Sequence, residues 1–319
     1  MAGVKTKKIS YLGWLNCISI SNEDVELIVT TDVGPRILYF GYKNAFNHMK
    51  VFEDQAGRQG DDEWMIYGGH RLWHSPEAKP RTYEMENTPC LYEINDGITL
   101  KNPTNIVSGM EKEIRISMKS KGSKVQIDHK IINRNAWDIE FSLWALTVAA
   151  PGGRLVIPQP TQGPELLPNR NITFWTYTRL NDPRVHWLDR YIFLDQDPRA
   201  QYTDEPANRQ FDNVPFKIGL HVPDGWVAYI NNNEAFVKYF EMVKGAVYPD
   251  FGHCSFEAYT NKDMLEIESL TPLTKTGPGE EINHKEVWEL FSNIERPEND
   301  DQADDMAAKL GLNPSPLAL

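Results

Sequence analysis

Cysteine is scarce in this 319-residue chain, and the three present (Cys17, Cys90 and Cys254) are far apart and outside any CxxC spacing. That excludes a disulfide framework and a cysteine-based zinc site, and leaves buried free thiols in a reducing compartment as the expectation. No apolar run is long enough to cross a bilayer. The opening MAGVKTKKISYLGWLNC has lysines but no unbroken apolar stretch, so no secretory signal is expected. Basic residues are in deficit, 33 against 45 acidic, for a net charge of −12. Phosphate contacts need clustered Lys and Arg, so binding to nucleic acid or to an anionic membrane is not expected. A soluble cytoplasmic protein is the resulting reading.

Helical periodicity is also scarce. Its one good instance is DDQADDMAAKLGL near the C-terminus, whose acidic first turn suits a helix dipole. Residues 296–319 therefore read as an acidic tail, a short helix or disordered, loosely attached and ending in NPSPLAL. No GK[ST] phosphate loop and no GxSxG elbow occurs. Neither a cofactor nor a metal is expected.

What the chain has in quantity is alternation of period two. VELIVTT, SKVQIDHKIIN, IEFSLWALTV, SFEAYTN, MLEIESL and EINHKEVWELF all follow it, and WVAYI and AFVKYFEMV flank the polar turn NNNE. Gly and Pro, 21 of each, fall between the runs. The segment from Pro151 to about Pro215 reads as long loops. The expected fold is all-β, a large antiparallel sandwich of two stacked sheets formed by residues 1–295 as a single unit.

Two stretches carry the chemistry. In MLEIESL, alternation puts Glu266 and Glu268 on one strand face and Leu265 and Ile267 on the other. The following strand puts His284, Glu286 and Trp288 on one face. If the two strands pair as a hairpin, one sheet surface carries Glu266, Glu268, His284, Glu286 and Trp288, with Trp288 a ring platform or core. A carboxylate in such a cleft would have a raised pKa and could serve as acid or base.

The other stretch is YGGHRLWHSPE, from Tyr67 to Glu77, which gathers two imidazoles, a guanidinium and a carboxylate around an indole. It reads as a turn-like loop at a cleft mouth. His70 and His74 stand four apart as in HExxH, but Arg71 takes the glutamate's place, which argues against zinc. His129, on an apolar strand face, reads as a satisfied core histidine. Lys238 either reaches a cleft or is solvated.

DVGPRI, YGGHRLWHSPE, IINRNAWDIEFSLWALTVAAPGG, LEIESLTPL and GPGEEINHKEVWEL together resemble the galactose mutarotase-like superfamily, a little-characterised branch of it, over residues 24–291. The resemblance implies a sugar ligand and acid–base chemistry at the anomeric carbon. It places the base at Glu268 or Glu266, with Glu268 preferred, and the acid at His70, His74 or His284. Arg71 and His70 would hold sugar hydroxyls, with Trp73, His74, Glu77, Trp288 and Lys238 further around the ligand. The family's central-strand histidine has no counterpart in WALTVAAPGG. Non-catalytic sugar binding is therefore the alternative, and a lyase or glycosidase ranks third, since parallel carboxylates on one strand do not flank a bond from opposite sides.

Overall fold

The computed structural model describes residues 3–161, 163, 165–198 and 215–312. Its strands form two sheets, of eleven and ten strands among the described residues, and every strand pairing is antiparallel. The eleven-stranded sheet has at its centre His70–Ser75, Ile139–Ala149, Leu265–Leu270, Phe256–Thr260 and Phe216–Leu220, side by side in that order. The ten-stranded sheet has Glu234–Phe240, Glu281–Ser292, Val125–Asn133 and Met110–Met118 adjacent in its middle. The inner faces meet in one apolar cluster that includes Leu72, Leu143, Leu265 and Ile267 from the first sheet, and Ile114, Ile127, Phe236 and Leu290 from the second.

Alternation decides which side chains enter that layer. Along Leu265–Leu270 the leucine at 265 and Ile267 point between the sheets and the two glutamates point outward, as the sequence pattern requires. The Trp226–Asn231 and Glu234–Phe240 strands form the expected hairpin. Its two loop residues, Asn232 and Asn233, both have φ above +50°, a conformation asparagine tolerates well.

Four expectations are corrected. YGGHRLWHSPE is not a loop: His70–Ser75 is a central strand, buried along its whole length. The strands at 265–270 and 281–292 are not hairpin neighbours, since the chain between them crosses from one sheet to the other. On the way, Thr274–Thr276 pairs briefly with the start of Ile139–Ala149. Alternation reads each strand correctly but carries no information about which sheet it joins. Finally, 151–215 is not all loop, because Arg154–Pro158, Val185–Trp187 and Tyr191–Asp195 join the second sheet and Ile172–Phe174 the first.

The tail is not loose either. Asp300–Leu310 is a helix that buries Ala303, Met306, Ala307 and Leu310, the i, i+3, i+4, i+7 face. That face packs on Phe193, Trp226, Ile230, Val237 and Tyr239 on the outer side of the second sheet. Asn299 caps the first turn by accepting from the Gln302 amide, and Gly311 ends the helix in the left-handed region. The expected NPSPLAL ending lies outside the described residues, which stop at Leu312.

Candidate functional site

The outer face of the first sheet carries polar residues where a solvated sheet would also carry them, yet here they are buried. Arg71 and Trp73 come from His70–Ser75, Trp144 and Leu146 from the central strand, Glu266 and Glu268 from Leu265–Leu270, Glu257 and Tyr259 from Phe256–Thr260, and Lys217 from the strand beyond. Register places Leu146 beside both Arg71 and Glu268, and Tyr259 between Lys217 and Glu266. Trp64, Tyr83, Trp175 and Tyr177 close over this surface and leave a cavity of about 320 Å³.

Indole and phenol rings dominate the cavity wall. Trp73 lies edge-on to Trp144 and Tyr83, with ring centroids 5.6 and 5.2 Å away. The Arg71 guanidinium sits 4.7 Å from the Trp73 ring and forms an ion pair with Glu266, Nη2 to Oε1 at 2.9 Å. Its Nε and Nη1 have no protein partner although both are buried. Unsatisfied buried donors are costly, so they are suited to donate to a ligand's oxygens. Glu77 also reaches the cavity, where it accepts from the Tyr83 hydroxyl.

Glu268 lies deeper. It is fully buried, accepts from Trp144 Nε1 at 2.8 Å and from Lys217 Nζ at 3.1 Å, and is absent from the cavity lining that Glu266 joins. Burial raises its pKa, with Lys217 opposing. The carboxylate presented to the cavity is thus Glu266, against the preference for Glu268.

The remaining expected residues are elsewhere. His70, His74, His284, Lys238 and Trp288 all lie in the layer between the sheets: alternation turns the first two away from the cavity, and the other three stand on strands of the second sheet. Trp288 is core, packed against Phe40, Phe236 and the ring of His70. Lys238 is neither solvated nor in a cleft: Nζ meets Glu286 Oε1 at 2.8 Å and bonds to the Ala145 and Ile267 carbonyls of the opposite sheet.

The hydrogen bonds in that layer fix its protons. His129 Nδ1 faces the His284 carbonyl at 3.1 Å and must donate, so its Nε2 accepts from His70 Nε2, 2.7 Å away. His70 Nδ1 then accepts from Thr147 Oγ1, which in turn accepts from Lys238. On the other side His284 Nε2 donates to Ser269, and Ser269 and Trp288 donate to Glu286. Burial would raise the pKa of Glu286, but the Lys238 ammonium beside it holds it well below the usual range. His70, His129 and Glu286 bring ligand atoms within 4.8 Å of one another. Each of those atoms is already committed to a proton or an ammonium, so the trio fits hydrogen bonding and not a cation. The HExxH-like pair, His70 and His74, spans about 13 Å of strand, too far for one ion.

Sequence reading missed Lys217, Glu257, Trp144 and Tyr259 as site residues, although each sits on a recognisable alternating strand. Trp64, Trp175 and Tyr177 arrive on connections and have no periodic signal at all.

No protein-family model and no curated protein sequence matches the chain. Solved structures do. A candidate aldose 1-epimerase from Klebsiella pneumoniae superposes with a TM-score of 0.60 at 10% identity, over 97% of this chain and 86% of that one. A galactose mutarotase-like protein from Lactobacillus casei gives 0.55 at 9% identity, over 86% and 100%. Another from Clostridium acetobutylicum gives 0.52 at 11%, over 92% and 100%. With its two antiparallel sheets and strand-borne cavity, the chain has the galactose mutarotase-like sandwich fold.

Proposed function

We propose that the cavity binds a monosaccharide-sized sugar and that the protein interconverts its anomers, with Glu266 as the base at the C1 hydroxyl. The observation that carries this reading is the buried Arg71–Glu266 pair in a ring-walled cavity, with two guanidinium nitrogens left for a ligand. Trp73, Trp144 and Trp175 offer flat apolar faces of the kind that pack on a sugar's C–H surface. The ion pair with Arg71 fixes the Glu266 carboxylate at the cavity wall. The sugar-related names of the fold neighbours agree with this reading. A cytoplasmic location belongs to the same proposal, and no helix among the described residues is long and apolar enough to cross a membrane.

A second reading, sugar binding without turnover, is favoured by one observation. None of the three histidines considered as the acid faces the cavity, and burial keeps them neutral, His74 and His284 with pKa lowered to about 3.

Thermal-shift screening against neutral monosaccharides, uronic acids and sugar phosphates finds the ligand, and exchange NMR between its anomers then decides between the two. Glu266→Gln keeps the side chain's shape and should slow interconversion by on the order of a hundredfold or more with binding largely kept. A wild-type protein that binds a sugar but leaves its anomers exchanging at the solvent rate is a binding protein.

A further inference from the structure

Beneath the cavity lies a charged cluster to which the anomeric reading gives no part. Glu257 and Glu268 stand directly opposite each other on adjacent strands, and Lys217 reaches over both. Its Nζ is 2.7 Å from Glu257 Oε2 and 3.1 Å from Glu268 Oε2. The Oε1 atom of each carboxylate is buried without a hydrogen-bond partner. Lys217 lines the cavity, its Nζ 4.5 Å from the Trp144 ring and 4.6 Å from that of Trp175. Two of its three N–H bonds serve the carboxylates, which leaves one for an acceptor in the cavity.

Two carboxylates and one ammonium out of water leave one negative charge in excess, and like charges this close do not both ionise freely. The cluster therefore holds a second proton beyond those of a simple ion pair. Burial raises the pKa of Glu257 well above its ordinary value, Lys217 opposing and Glu268 and the Asp250 carboxylate reinforcing the rise. For Lys217 burial works against the charge, but Glu257 and Glu268 outweigh it and raise its pKa.

Resting on the anomeric reading, we propose that Lys217 is the acid of this cavity, protonating the sugar's ring oxygen and drawing its replacement proton from Glu257. Glu266 takes the proton of the C1 hydroxyl, whose O–H electron pair becomes the second bond of the C1 carbonyl. The C1–ring-oxygen bond breaks, and its electrons take a proton from Lys217 Nζ. The carboxylic proton of Glu257 passes across 2.7 Å to Nζ, leaving an ammonium between two carboxylates. Rotation about C1–C2 and the reverse transfers close the ring on the other face, and no further reactant is consumed. An ammonium flanked by carboxylates is by itself a weak acid. The cluster as a whole gives up the carboxylic proton, which is far easier to lose, so the acid strength belongs to the group and not to Lys217 alone. The phenols in the cavity are poorer donors, since burial pushes Tyr83, Tyr177 and Tyr259 all upward.

The test uses D-glucose and D-galactose with exchange NMR, and thermal shift for binding. Lys217→Arg keeps the positive charge but cannot pass a proton at ordinary pH. Interconversion should fall on the order of a hundredfold while binding changes only a few-fold. Glu257→Gln removes the proton reserve. It should slow turnover and move the alkaline limb of the kcat/KM profile to higher pH, whereas a merely structural role lowers the rate equally at every pH. Wild-type rates in Lys217→Arg, or an unshifted profile in Glu257→Gln, overturn the acid assignment while leaving Glu266 as base. If Lys217→Arg does not fold, the Glu257→Gln profile decides alone. A wild-type protein that binds these sugars without interconverting them overturns the anomeric reading, and this assignment with it.

Discussion

At the scale of single residues, the layer between the sheets depends on imidazoles that stay uncharged. Burial is the main cause of the lowered pKa of His70, His74, His129 and His284. In the unfolded chain the same groups take protons near pH 6.5. Below that point the unfolded state binds more protons than the folded one, so stability falls as pH falls, until the folded values are reached. Glu286, held low, adds to the loss only once the pH drops below about 4.3. Glu257 and Glu268 act in the opposite sense, because their raised pKa means the folded chain keeps protons that the unfolded chain releases above about 4.3. The four imidazoles outnumber them. Urea midpoints should therefore drop from pH 6.5 to pH 5, where the unfolded imidazoles are at least about half protonated, and a flat profile over that range would mean the histidines are not neutral in the fold.

At the scale of elements, the terminal helix offers a clean measurement. Asn299 accepts from the Gln302 amide at 3.0 Å, and Asn299→Ala should cost about 1 kcal/mol in denaturant unfolding. That helix was legible because its apolar residues recur at 303, 306, 307 and 310 in a chain otherwise built on alternation. The strands were legible for the same reason. Period two gives the faces of Leu265–Leu270 and Glu281–Ser292 separately, but the partner of a strand depends on where the chain travels between them. The TPLTKTGPG connection gives no sign that it passes from one sheet to the other. His70–Ser75 failed differently. Such a polar segment reads as a loop, since a buried strand with two imidazoles and a guanidinium is acceptable only when partners such as Thr147, His129 and Glu266 come from distant strands. Those partners cannot be seen from the segment itself.

At the scale of the molecule, the two outer faces of the sandwich meet water through different coverings. Rings from connecting segments roof the first and leave a cavity; the 300–310 helix covers the part of the second that carries Phe193, Ile230 and Val237. The helix is thus also a solubility device. A chain ending at Glu298 would expose a contiguous apolar sheet face and at the same time shed four aspartates whose repulsion keeps copies apart. Such a chain should elute in light-scattering chromatography as large, polydisperse particles, with the full-length protein discrete under the same conditions. Replacing only the exposed Asp301 and Asp305 with asparagine should leave the particle size unchanged, because the seal, and not the charge alone, keeps one sandwich from laying its bare face on the next.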